Sequence, residues 1–107
     1  MIEPRQGEVR WADASEPFGR RPVLVLTRSA VIPHLSNVTV APLTTRVRHV
    51  QSEVLLGKAD GLIKPCAVSL ENIQTFPKNA IDARIAVLSK RKMLLVWEAI
   101  RFAFDMP

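Results

Sequence analysis

A chain of 107 residues is expected to form one domain, and at 48% apolar and 23% charged it has a globular composition with nothing that suggests disorder. Its formal charge of +5 favours an anionic partner: nucleic acid, an acidic protein or a membrane surface. A single cysteine excludes an intrachain disulfide, and no apolar run approaches the roughly 20 residues of a membrane span.

The opening "MIEPRQGEVR" has no apolar segment of the signal-peptide kind, so a cytoplasmic protein with no membrane attachment is expected. Gly7 ends this polar stretch and "EVRWA" follows. Val9 and Trp11 there share a face opposite Glu8 and Arg10, as in a half-buried strand. "ADASEPFGRR" reads as a loop broken by Pro17 and Gly19. "PVLVLTR" reads as a fully buried strand, and "SAVIPHLSN" as a connector broken by Pro33.

"VTVAPLTT" is the next strand. Pro42 has no ladder donor, so this strand is expected at an edge or with a bulge. "QSEVLL" is a fourth strand, followed by the turn "GKADG". "CAVSLENI" is a fifth, running into "QTFPKNA", and "ARIAVLS" a short sixth. "SKRKMLLVWEAIRFAFDM" sets Met93, Val96 or Trp97, Ile100 and Phe104 at helical spacing, with Ser89 as N-cap. Many short strands and one closing amphipathic helix predict a small α+β domain: an antiparallel barrel or curled sheet with a helix packed on it.

Lys90, Arg91 and Lys92 crowd the first turn of that helix, where its dipole disfavours cations by roughly 0.3–1 kcal/mol each. A solvated end and an anion-binding patch are both consistent with this.

The residues that bear chemistry are mostly cations. Arg21 precedes Pro22 and is held extended, so its fork can grip a phosphate with parallel hydrogen bonds. Arg20 should point to the opposite face, leaving at most one of the pair for a given site. The plain alternative is a surface arginine paired with Glu16 or Asp13. In "APLTTRVR", Thr44 and Thr45 end an apolar strand, and Arg46 and Arg48 follow; hydroxyls beside guanidiniums suit a phosphate oxygen. His34 and His49 lie in loops without an evident partner. No serine or cysteine stands by a base, no glycine-rich phosphate loop occurs, and Cys66 reads as a small core residue. No Cys/His cluster has metal-ligand spacing, so neither metal nor cofactor is expected.

Taken in order, these pieces resemble the MazF/PemK family of toxin endoribonucleases from toxin–antitoxin modules. "RQGEVRWAD" is similar to the family's opening G-[DE]-[IV] strand, and "GRRPVLVL" to its G-x-R-P-[VA]-[LV]-[VI]. "VTVAPLTT" matches a strand ending in Pro/Ala-[LI]-T, "AVSLENIQT" resembles L-x-[ED]-Q-[IV]-R-T, and a helix closes the chain after "LSK". The match covers nearly all of residues 1–107, as one domain.

The resemblance implies an SH3-like barrel with a C-terminal helix, usually homodimeric, and a metal-free endoribonuclease acting on single-stranded RNA. It implies Arg21 and Thr44 as catalytic residues, with Glu16, five residues before the arginine, as a candidate general base. The substrate's 2′-hydroxyl would attack the adjacent phosphate, leaving a 2′,3′-cyclic phosphate and a 5′-hydroxyl. Arg20, Thr45, Arg46, Arg48 and Asn72 would bind RNA. Phe18, in the loop beside Pro17, would stack on a base, whereas Trp11 reads as core. Two departures stand out: Pro17 replaces the family's glutamine, and Asn72 and Gln74 replace its glutamine and arginine. The implied protein partner is a cognate antitoxin with an acidic, partly disordered tail. A gyrase poison of the CcdB type, on the same fold, and a non-cutting RNA- or antitoxin-binding relic are the rival expectations.

Overall fold

The computed structural model describes residues 3–107. Seven antiparallel strands form one strongly curled sheet: β1 (Glu8–Asp13), β2 (Arg20–Val25), β3 (Asn37–Thr44), β4 (Glu53–Leu56), β5 (Cys66–Ser69), β6 (Gln74–Pro77) and β7 (Ile81–Val87). The order is β4-β5-β3-β2-β1-β7, with β6 added on β3. One helix, α1 (Lys90–Ala103), closes the chain, giving an α+β half-barrel.

Alternation along the strands builds two cores. Val9, Leu24, Ala41, Leu43 and Val68 point toward the helix and pack with Val96 and Ala99. Ala12, Val23, Val25, Val38, Val40 and Ile32 point the other way and pack with Phe18 and Phe76. Of the helix positions named above, Met93, Val96, Trp97 and Ile100 pack on the first core, while Phe104 lies just past the helix end, 58% exposed. Ser89 caps as expected, its hydroxyl accepting from the Lys92 amide at 3.1 Å.

Three expectations are corrected. β3 is central: it pairs with β2 on one side, and with β6 and then β5 on the other. Thr39 aims its amide and carbonyl toward β2, so Pro42 aims its missing donor the other way. That spot falls between the last β6 pair (Val40↔Gln74) and the first β5 pair (Leu43↔Val68), where no ladder bond is lost. The segment "QTFP" is a strand of its own, recruited by β3. Finally, Lys92 is no free anion site, because its ammonium donates to the Leu55 carbonyl at 2.8 Å and sits 3.6 Å from Asp60.

A buried ion pair ties the β1 end of the sheet. Glu8 accepts from Arg10 Nε and from the Arg5 amide, both at 2.8 Å, and Arg84 of β7 stands 3.6 Å away. Burial alone would raise the Glu8 carboxyl; these hydrogen bonds and charges outweigh it and hold it below its ordinary value.

Candidate functional site

β2 and β3 carry the two residues that the sequence nominates for catalysis, Arg21 and Thr44. Their register runs Val25↔Val40, Leu24↔Ala41 and Val23↔Pro42, and Arg21 and Thr44 lie two residues beyond the last of these pairs, on the same end of the two strands. Both line two adjoining hollows at this end of the sheet. The first, about 730 Å³, is bounded by Trp11, Leu62, Ile63, Cys66 and Ile85, with Arg20, Thr45, Arg46 and Lys64 around it. The second, about 330 Å³, holds Arg48, Ser69, Asn72 and Gln74. Arg21, Leu43, Thr44 and Arg46 are common to both, so the hollows form one groove with Arg21 and Thr44 at its waist.

The two adjacent arginines are held by different partners. Arg20 reaches Asp82 at 3.1 Å and Asp13 at 3.7 Å, and its guanidinium lies 5.1 Å from the Trp11 ring centre. Arg21 has no carboxylate partner among the described residues; its guanidinium rests on the Phe18 ring, 4.8 Å from the centroid. Phe18 in turn meets Phe76 edge-on, with centroids 4.8 Å apart. Arg21 is thus aimed by an apolar support that leaves its five donors uncommitted. Both arginines line the first hollow, which corrects the expectation that at most one of the pair faces a given site.

Thr44 is prepared in a complementary way. Its oxygen accepts from the Arg46 amide at 3.0 Å, which leaves the hydroxyl proton to donate into the groove. Glu53 braces the following loop by accepting from the Arg48 and His49 amides at 2.9 and 3.2 Å. Asn72 is anchored by donating from its amide nitrogen to the Ser69 hydroxyl at 2.8 Å, and it lines the second hollow.

Glu16 is not brought to this groove. It is exposed on the β1–β2 loop and lines neither hollow. The turn there requires Gly19 at φ +68, and a β-carbon on Gly19 would come within 2.8 Å of the Glu16 carboxylate. Phe18, expected to stack on a base, is instead half-buried between Phe76 and Arg21. Trp11, expected in the core, borders the groove. His34 and His49 line neither hollow.

Ile63 and Lys64 were not nominated from sequence, although the Gly61–Pro65 segment puts an isoleucine beside a lysine between two breakers. Cys66 is buried as expected, and burial, then the nearby Asp60 charge, pushes its thiol up, away from the reactive thiolate. Among the described residues no three His, Cys, Asp or Glu side chains converge on a metal position, and no helix is long and apolar enough to cross a membrane.

A groove with cations along it and a guanidinium–hydroxyl pair at its waist can hold a phosphodiester and stabilise added charge on it. Residues 5–104 match the family described as "PemK-like, MazF-like toxin of type II toxin-antitoxin system". Endoribonuclease MazF3 of Mycobacterium tuberculosis is 46% identical over 86 residues, 80% of this chain and 84% of that protein. A solved structure of the Mycobacterium tuberculosis toxin MazF-mt6 superposes with a TM-score of 0.87 at 41% identity, over 94% of this chain and 98% of that one. A mycobacterial endoribonuclease in complex with its cognate antitoxin superposes with a TM-score of 0.86 at 26% identity, covering 97% of each chain.

Proposed function

The chain belongs to the PemK-like, MazF-like toxins of type II toxin–antitoxin systems, and on that premise we propose that it is an endoribonuclease that cuts single-stranded RNA through the substrate's own 2′-hydroxyl. The observation that carries this reading is Arg21: a guanidinium without a carboxylate partner among the described residues, lining both hollows together with a donor-ready Thr44.

The 2′-hydroxyl gives up its proton to water as its oxygen attacks the adjacent phosphorus, the P–O5′ bond breaks, and the leaving 5′-oxygen takes a proton from water, so the products are a 2′,3′-cyclic phosphate and a 5′-hydroxyl. The RNA brings its own nucleophile, so the protein needs none. Arg21 and Thr44 donate to the non-bridging oxygens as negative charge grows on them. Fixed donors of this kind are each worth about 10²–10³ in rate. Arg46 and Arg48 hold the neighbouring phosphates, and Asn72 reads a base edge in the second hollow. No step needs a metal.

Two partners complete the reading. A cognate antitoxin lays an acidic segment along the same groove and blocks it; that such a partner exists is supported by a similar mycobacterial endoribonuclease solved in complex with its cognate antitoxin. A second copy of the chain covers the apolar side of α1, where Leu94, Leu95 and Phe102 are 64%, 43% and 52% exposed.

The test is incubation of the purified protein with single-stranded RNA in EDTA, followed by analysis of the ends. Cyclic-phosphate and 5′-hydroxyl ends are expected, with no cutting at a linkage whose 2′-hydroxyl is replaced by hydrogen. Cutting that requires a divalent metal, or that survives the 2′-deoxy replacement, would overturn the reading.

A further inference from the structure

The hollow on the Trp11 side of Arg21 carries side chains the cleavage step does not use. Ile63 stands at its lip and is 89% exposed, a costly place for a β-branched apolar side chain. The loop that presents it, between β4 and β5, is pinned on the side that precedes Ile63. Asp60 accepts from the Gly57 amide at 3.0 Å and sits 3.6 Å from Lys92 of α1. Gly61 takes φ +93 against β7, where a β-carbon would stand 3.0 Å from that of Ala86. Inside, Trp11, Leu62 and Ile85 supply apolar wall, and Arg20 lies against Trp11, held there by Asp13 and Asp82.

We propose that this hollow is a nucleobase pocket: it takes the base of the nucleotide next to the scissile linkage, and Ile63 and Trp11 are the contact residues that set sequence preference there. The inference rests on the endoribonuclease reading. The occupant must be apolar on its faces and anionic along its backbone, because apolar walls meet Arg21 and Lys64, cations with no carboxylate partner among the described residues. An unpaired nucleotide is both. A second copy of a chain charged +5 would bring further cations to that rim. The hollow also shares Arg21 and Thr44 with the cleavage centre, so a phosphate seated on that pair delivers its neighbouring base to this pocket.

The probe is an RNA oligonucleotide spanning a mapped cleavage site, made uncleavable by a 2′-deoxy at the attacked nucleotide, with a set of copies each lacking one base. A Trp97→Phe background leaves Trp11 as the sole tryptophan reporter. One abasic copy, missing the base beside the cleaved linkage, is expected to bind about tenfold more weakly and to lose Trp11 quenching. Ile63→Ser should weaken the intact probe severalfold yet leave that abasic copy unchanged, and Ile63→Val should restore most of the loss. Equal weakening of every copy, or of none, would overturn the pocket. So would a change in sedimentation on Ile63→Ser, which would give the lip to a second copy, or weakened binding of an acidic antitoxin peptide with RNA affinity intact. If the wild type cuts RNA but Ile63 shows no coupling to any base, only the pocket falls; if it cuts no RNA, both readings fall.

Discussion

Arg20 and Arg21 are chemically identical neighbours, and what separates them is what each side chain finds. Arg20 meets Asp13 and Asp82, Arg21 the ring of Phe18. Alternation along β2 made the split readable from the sequence, as was the Asp13 pairing. The aromatic support was not, since Phe76 comes from a distant strand. Replacing Phe18 by Leu keeps an apolar side chain there but removes the ring face, a contact worth roughly 0.5–1 kcal/mol at a half-exposed site. Single-turnover kinetics should therefore show cleavage slowed by roughly two- to fivefold with RNA affinity little changed. A loss of affinity without a loss of rate would return Phe18 to base stacking. Glu16 shows the opposite limit: its number in the chain suggested a catalytic neighbour, but a left-handed Gly19 turns the loop and leaves its carboxylate outside both hollows.

At the scale of elements, the sheet is held by exchanges that single segments do not announce. "QTFP" carries a proline and little apolar content, and becomes β6 only because the first half of β3 offers it a ladder. The helix needed no such help: its spacing and its Ser89 cap lie in one contiguous stretch. The Glu8–Arg10–Arg84 cluster joins β1 to β7 and gives stability a pH signature. The Glu8 carboxyl is held below its ordinary value near 4.5, so the unfolded chain binds the proton more tightly. The stabilisation is complete above that value and is lost as pH falls through the lower, folded one. Glu8→Gln leaves Arg10 buried without its charge partner, a defect of about 3–5 kcal/mol. Thermal melts should show a large gap from wild type at pH 7 that narrows well below pH 4.5. A gap independent of pH would mean that Glu8 acts by packing alone.

For the whole molecule, the curled sheet and the closing helix were legible because strand alternation and helical spacing are local. The groove was only half legible, because it is assembled from the ends of β2 and β3 and the loops after β3 and β4. Ile63 and Lys64 gain meaning only when those loops converge. The basic composition, ambiguous by itself, becomes specific once Arg21, Arg46 and Arg48 are seen to share the hollow that Asn72 borders. Binding of an uncleavable single strand should accordingly weaken with salt, by about 0.7 in the log–log slope per phosphate neutralised. Arg48→Gln should flatten that slope by about one such increment, as read from fluorescence anisotropy across salt concentrations. An unchanged slope would remove Arg48 from the phosphate track.

The central claim is that a guanidinium and a hydroxyl on facing strands act on one phosphate. Single-turnover cleavage by Arg21→Ala, Thr44→Val and the double variant tests it most directly. The arginine change is predicted to cost about 10²–10³ in rate, and the double variant far less than the product of the single losses, as for groups that work as a unit. Full-speed cutting by Arg21→Ala, or losses that multiply as for independent sites, would contradict it.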